Sequence, residues 1–144
     1  VWLLTTLGAE VHLVAPRTLL PHGVEHWGAT VHEHLDDALA AAPDAVMMLR
    51  IQSERMRDAY FPSAREYARV WGLTAERLAL LGPDTMVMHP GPMNRGLEIS
   101  SAAADSARST VLAQVTNGVF IRMAVLYLLV AGSTATAEPT GGEG

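Results

Sequence analysis

Met86-Val87-Met88-His89-Pro90-Gly91-Pro92-Met93-Asn94-Arg95-Gly96-Leu97-Glu98 is an apolar run that stops at two prolines flanking a glycine. Its first part reads as a buried strand and the remainder as a loop at the C-terminal end of that strand. In open α/β sheets, ligands bind outside the carboxyl ends of the strands. This loop is therefore the first place to look for chemistry. Pro90 and Pro92 fix their own φ angles and push His89 and Gly91 toward extended conformations. The turn is stiff before any ligand arrives, and its carbonyls can be aimed without an ordering cost.

Upstream, Asp44-Ala45-Val46-Met47-Met48-Leu49-Arg50 reads as a second strand, apolar at five consecutive positions and expected to be covered on both faces. The methionines at 47, 48, 86 and 88 are then core. Shorter runs at 10–15, closed by Pro16, and at 29–32 predict two further strands. Between strands, the spacing predicts helices. One ends at Gly8. A second starts with Asp36 and Asp37, placed to suit the helix dipole. A third opens at Ser63 with Glu66 three residues on, and a fourth spans Thr74–Leu81 before Gly82-Pro83. A stretch over 105–131 is either one helix or two joined near Asn117. Residues 51–62 have no clean period and read as a long loop, and functional loops are the usual exception to short connections. Strands alternating with helices give an α/β domain with a parallel sheet, helices on both faces and right-handed crossovers. The domain covers 1–131, and the small, polar residues 132–144 are expected to be a disordered tail.

Composition narrows the chemistry. The chain has 144 residues, 49% hydrophobic and 17% charged, a net charge of −5 and no cysteine. The negative balance argues against nucleic acid as a partner. Without cysteine there are no disulfides, thiol nucleophiles or thiolate metal sites, which fits a cytoplasmic enzyme. All ten basic residues are arginine, so Schiff-base chemistry and a phosphate-loop lysine are absent from this segment, and arginine is the only fixed handle for anions. The longest apolar run, 123–131, is too short to span a bilayer, so no membrane partner is expected. The chain opens at Val1 in what reads as the end of a helix, and the expectation is a piece of a longer protein.

Two strand ends, Arg50-Ile51-Gln52 and His89-Pro90-Gly91-Pro92, would share one edge of a parallel sheet. Arginine there can grip a carboxylate with two parallel hydrogen bonds, and the glutamine amide can accept or donate beside it. Together they suit a dicarboxylate or an amino acid. The alternative is that Arg50 pairs with Glu54 or Asp58 as loop scaffolding. His89 is either a proton-transfer group or a backbone hydrogen-bonding partner. His22 with His26, and His32 with His34 and Glu33, have spacings a metal could use, but without a third ligand solvated histidines are the default and no metal is expected.

Met-Leu-Arg-Ile-Gln-Ser-Glu-Arg-Met (48–56), His-Pro-Gly-Pro-Met-Asn-Arg-Gly-Leu-Glu-Ile (89–99) and Asn-Gly-Val-Phe-Ile-Arg-Met-Ala-Val-Leu-Tyr (117–127), in this order and spacing, resemble the aspartate-binding half of aspartate carbamoyltransferases. The resemblance covers nearly the whole chain. It implies a reaction in which the amine of L-aspartate attacks carbamoyl phosphate, giving N-carbamoyl-L-aspartate and phosphate in pyrimidine biosynthesis, with no cofactor. It further implies that Arg50 and Gln52 hold aspartate and that Glu54 and Arg55 belong to a loop that closes the two domains. Carbonyls of Pro90, Gly91 and Pro92 would lie near the reacting groups. The family's carbamoyl-phosphate domain, with its Ser-Thr-Arg-Thr-Arg motif, would precede Val1, so this segment alone is expected to be inactive. The helix after Asp105 would pack back on that domain, which predicts exposed apolar surface in its absence. Family members form homotrimers whose subunits share sites, and some bind a regulatory or dihydroorotase chain. The runner-up is an ornithine carbamoyltransferase, whose Ser-Met-Gly and His-Cys-Leu-Pro marks are missing here. An inactive carbamoyltransferase-like assembly domain is the other alternative.

Overall fold

The computed structural model describes residues 1–52 and 63–135. The chain divides into two units, Val1–Val111 and Leu112–Gly144. In the first, α1 (Trp2–Thr6) gives way to Gly8, whose φ of +87° turns the chain out of the helix toward β1 (His12–Val14). Two 3₁₀ turns, Arg17–Leu19 and Val24–Trp27, lead to β2 (Thr30–His32). Then come α2 (Leu35–Leu39), β3 (Ala45–Met47), α3 (Ala64–Trp71), α4 (Ala75–Leu80), β4 (Met86–Met88) and α5 (Ser101–Ala104). The alternation makes an α/β fold in which β1 pairs in parallel with β2, and β3 in parallel with β4.

Side-chain caps fix the helix starts. Ser63 Oγ accepts from the Glu66 N–H at 3.1 Å, Thr74 Oγ1 from the Arg77 N–H, and Ser100 Oγ from the Ala103 N–H. The last of these starts α5, a helix the sequence pattern does not predict, while residues 105–110, expected to open the long helix, form turns and a bridge instead. At the other end of α4, the Arg108 guanidinium donates to the carbonyls of Leu78, Leu81 and Gly82 at 2.6–2.9 Å, binding the carbonyl-rich end of the helix. The backbone of the same segment joins the sheet, with Val87 N–H donating to Arg108 and Thr110 N–H to Val87, each at 2.9 Å.

The core gathers Leu35, Leu39, Val46, Met48, Leu73, Leu81, Val87, Ile99, Ala103 and Ala104. It corrects one sequence expectation. β3 is not covered on both faces, and of the four methionines expected in the core only Met48 is buried there: Val46 and Val87 are buried with it, whereas Met47 is 51% and Met86 45% exposed and Met88 is half-buried. Successive strand side chains point to opposite faces, and the second face is only partly covered. The run of apolar residues recorded the chemistry of both faces but not which one is filled here.

Polar ties bind the layers. Arg77, itself buried, donates from Nε and Nη2 to the two carboxylate oxygens of Asp36 at 2.7 and 2.8 Å, and from Nη1 to the Gly72 carbonyl. The hydrogen bond from Arg77 holds the Asp36 carboxyl below its usual range. Trp71 Nε1 donates to the Glu33 carbonyl at 2.7 Å, fastening α3 to the exit of β2. Gly72 sits where a Cβ would lie 2.6 Å from the carbonyl oxygens of both Ala68 and Leu97. Because both neighbours are backbone, Gly72→Ala is expected to destabilise the full-length chain by about 1–3 kcal/mol, measured as a shift in the denaturation midpoint.

In the second unit, α6 (Val111–Ala135) is one helix, continuous through Asn117 and Gly118. Residues 132–135, assigned to a tail from the sequence, are therefore helical, because extending a helix already formed is far easier than starting one. The rest of that tail, 136–144, lies outside the described residues. Val111–Ala131 is long and apolar enough to cross a membrane by length and composition, which 123–131 alone is not. Leu112, Phe120, Ile121, Tyr127 and Leu128 are each more than 60% exposed. A helix apolar all round requires cover.

Candidate functional site

Parallel pairing determines where the site lies. With Ala45 opposite Met86, Val46 opposite Val87 and Met47 opposite Met88, the strands leave the sheet at the same edge, and the ladder continues as Met48 N–H donates to the Met88 carbonyl at 2.9 Å. Arg50 and Gln52 follow β3; Pro90, Gly91 and Pro92 follow β4. Arg50 is half-buried and Gln52 exposed, as are Pro90 and Pro92. The structure thus brings these five residues to one end of the β3–β4 pair, as the sequence suggested. Glu54 and Arg55, assigned to a domain-closure loop, lie outside the described residues.

A cleft of about 480 Å³ runs between β1 and β3 and is lined by Val14, Val46, Met48, Arg50, Gln52 and Tyr67, among others. β1 belongs to one parallel pair, with β2, and β3 to another, with β4, so the cleft lies between the two pairs. It extends to Ala15 and to Arg50–Gln52, which follow the two strands, and the carboxyl ends of strands are where ligands of open α/β sheets bind. Pro90, Gly91 and Pro92 do not line the cleft.

The β4 loop differs in conformation from its sequence reading. Gly91 has φ of +64° rather than an extended backbone, and the Gly91–Pro92 peptide is cis. Glycine enters this left-handed region without a Cβ penalty, so the residue ahead of Pro92 escapes the restriction placed on other side chains. The loop is held from beneath. His89 is fully buried; its Nδ1 accepts from the Gly91 N–H at 2.8 Å, which leaves the ring proton on Nε2 to face Glu98 Oε1 at 3.2 Å. His89 is therefore a loop-holding group, and the proton-transfer alternative has no solvent-facing nitrogen to use.

Sequence reasoning missed two groupings. Glu98 and His89, nine residues apart, are both fully buried and in contact. His12 Nδ1 lies 2.8 Å from His32 Nε2, with His12 Nε2 3.1 Å from Glu10. The second contact follows from register, since His12 pairs with Thr30 and Val14 with His32, and knowing that register would have revealed it. Among the described residues no cluster of three or more His, Asp or Glu side chains could hold a metal ion.

Burial and the negative charge of Glu98 raise the Tyr67 phenol from 10.0 to about 12. Its stabilising contribution is complete below pH 10 and is lost as the pH climbs through 12, since the unfolded chain releases the proton first. Alkaline titration of the full-length chain is expected to show a fall in stability across that window, and Tyr67→Phe to flatten it.

The family model described as "Aspartate/ornithine carbamoyltransferase, Asp/Orn binding domain" matches residues 1–129, which takes in most of α6. The aspartate carbamoyltransferase catalytic subunit of Clavibacter sepedonicus is 74% identical over 132 residues, covering 91% of this chain and 42% of that protein. That of Paenarthrobacter aurescens (strain TC1) is 64% identical over 143 residues, covering 96% and 43%. The chain thus spans about two fifths of the length of these relatives. Among solved structures, aspartate transcarbamoylase from Trypanosoma cruzi in complex with carbamoyl phosphate aligns with a TM-score of 0.66 at 29% identity, over 81% of this chain and 39% of that one. Ornithine carbamoyltransferase from Thermus thermophilus shares the fold, with a TM-score of 0.64 at 22% identity over 81% and 38%. With its parallel α/β architecture, its paired strand exits and a family match over nearly its full length, the chain belongs to the aspartate/ornithine carbamoyltransferase family, as its amino-acid-binding domain.

Proposed function

We propose that this domain supplies the L-aspartate site of an aspartate carbamoyltransferase catalytic chain. One observation carries the reading: the parallel β3–β4 pair delivers an arginine–glutamine exit and a proline–glycine–proline exit to a single sheet edge. The names of the 64–74% identical relatives support aspartate over ornithine, as does an arginine at position 50, which suits an acidic substrate. In the reaction, the uncharged amine of aspartate attacks the carbonyl carbon of carbamoyl phosphate. A C–N bond forms, the bond from that carbon to the phosphate oxygen breaks, phosphate departs and the amine gives up a proton.

The described residues contribute position and polarity. The Arg50 fork binds a carboxylate of aspartate through two parallel hydrogen bonds, and the Gln52 amide orients it. The carbonyls of Pro90, Gly91 and Pro92 accept hydrogen bonds from the amine and the carbamoyl NH₂. Fixed dipoles of this kind accelerate the reaction because they need no reorganisation when charge shifts. No metal or organic cofactor is required, since phosphate is a good leaving group. Carbamoyl phosphate binds on a part of the protein outside this chain, the assembly is a cytoplasmic homotrimer, and a regulatory or dihydroorotase chain is an available partner.

The test is steady-state carbamoyl transfer by the full-length protein, with carbamoyl phosphate fixed and L-aspartate varied. Saturable formation of N-carbamoyl-L-aspartate is expected. A folded, full-length protein without turnover would instead favour the assembly-domain reading.

A further inference from the structure

We propose that Glu98 is a positioning residue that locks the two strand exits of the aspartate site together; the inference rests on the function proposed above. Glu98 is fully buried, and its Oε1 accepts from His89 Nε2–H and from the Asn94 backbone N–H. Through His89 the contact reaches the Gly91 N–H, in the middle of the proline loop. Through Asn94 it reaches the other exit, because Asn94 Nδ2 donates to the carbonyl of Ile51 at 3.0 Å. Ile51 stands between Arg50 and Gln52, so a single carboxylate sets the height of the proline loop against the residues that grip the substrate.

The energetics favour this explanation over packing. Glu98 Oε2 is buried with no hydrogen-bond partner among the described residues. A buried carboxylate satisfied on one oxygen costs stability, and an apolar side chain would fill the same space more cheaply. Its value lies in holding two donors, from different points of the loop, on one oxygen atom. Glu98 touches no reacting group. It acts through His89 and Asn94.

The experiment uses the full-length protein and compares Glu98→Ala, Glu98→Gln and Asn94→Ala with the wild type for carbamoyl transfer, aspartate KM, carbamoyl phosphate Kd and thermal melting. Loss of alignment at about an ångström costs up to about 100-fold, so Glu98→Ala is expected to lower kcat/KM for aspartate about 10- to 100-fold, mainly through KM. Carbamoyl phosphate Kd stays within about twofold, because a local change at one substrate's site removes binding of that substrate alone. Glu98→Gln keeps an acceptor oxygen in place and restores activity to within about fivefold, the difference between a charged and a neutral hydrogen bond. Asn94→Ala spares the carboxylate and removes only the tie to Ile51. It raises KM about threefold or more and decides the matter should Glu98→Ala not fold. Wild-type turnover together with an unmoved KM in a folded Glu98→Ala or Asn94→Ala protein overturns the positioning role alone. Absence of wild-type turnover overturns the function on which it rests, and this role with it.

Discussion

Arg50→Ala in the full-length protein is expected to lower kcat/KM for aspartate about 100- to 1,000-fold. The removed guanidinium is half-buried at the exit of β3, and the proposed role sets it against a substrate carboxylate that must shed water to bind. Taking away one partner of such a charge-assisted pair costs about 3–4 kcal/mol, and each 1.4 kcal/mol is a factor of ten. The loss falls on KM if the contact is equally strong in the ground and transition states, and on kcat as well if it tightens during attack. Arg50→Lys keeps the charge but not the planar fork and recovers only part of the loss. Initial-rate kinetics, with circular dichroism to show that the variants are folded, reads both effects. Unchanged kinetics in a folded Arg50→Ala protein would return Arg50 to loop scaffolding.

The largest stability effect is expected at Ile99. This side chain is fully buried against Leu73 and Val87, and its carbonyl accepts from the Gly96 N–H at 2.8 Å. Ile99→Ala leaves a cavity in a packed core and is expected to cost about 2–5 kcal/mol, while Ile99→Val costs about 1 kcal/mol. Met47→Ala, on the open face of β3 where the side chain is 51% exposed, is expected to cost below about 1 kcal/mol because little apolar area returns to water. Denaturant titration of the full-length variants measures the series. Equal losses at Ile99 and Met47 would mean that the open face is covered in the complete protein.

Much of this was legible in local sequence. Prolines, glycines and capping residues are short-range signals, which is why Gly8, Ser63, Thr74 and the Gly82-Pro83 stop marked real helix boundaries. The shared edge of Arg50 and Pro90–Pro92 followed from reading two buried strands as parallel. What escaped was long-range. The run Ala45–Leu49 could not say which face of β3 is filled, since burial depends on what packs from elsewhere. Glu98 carries no local signal, because a single acidic residue in a loop has no periodicity and its partner His89 is brought to it by the turn. Gly91 before Pro92 was read as extended from the general pre-proline rule, and its lack of a Cβ is what permits the left-handed φ of +64°. Spacing predicts helix over 105–131, and the helix runs instead over Val111–Ala135 without a break; its apolar length is hidden in the sequence by Thr116, Asn117, Gly118 and Arg122, which interrupt the run without breaking the helix.

The most direct measurement of the central claim is a competition. Full-length protein is supplied with carbamoyl phosphate and equal concentrations of L-aspartate and L-ornithine, and the two carbamoylated products are separated by chromatography. An aspartate site built on Arg50, Gln52 and the Pro90–Pro92 loop predicts N-carbamoyl-L-aspartate in large excess, with that excess reduced by Arg50→Ala. Citrulline as the main product would contradict the account.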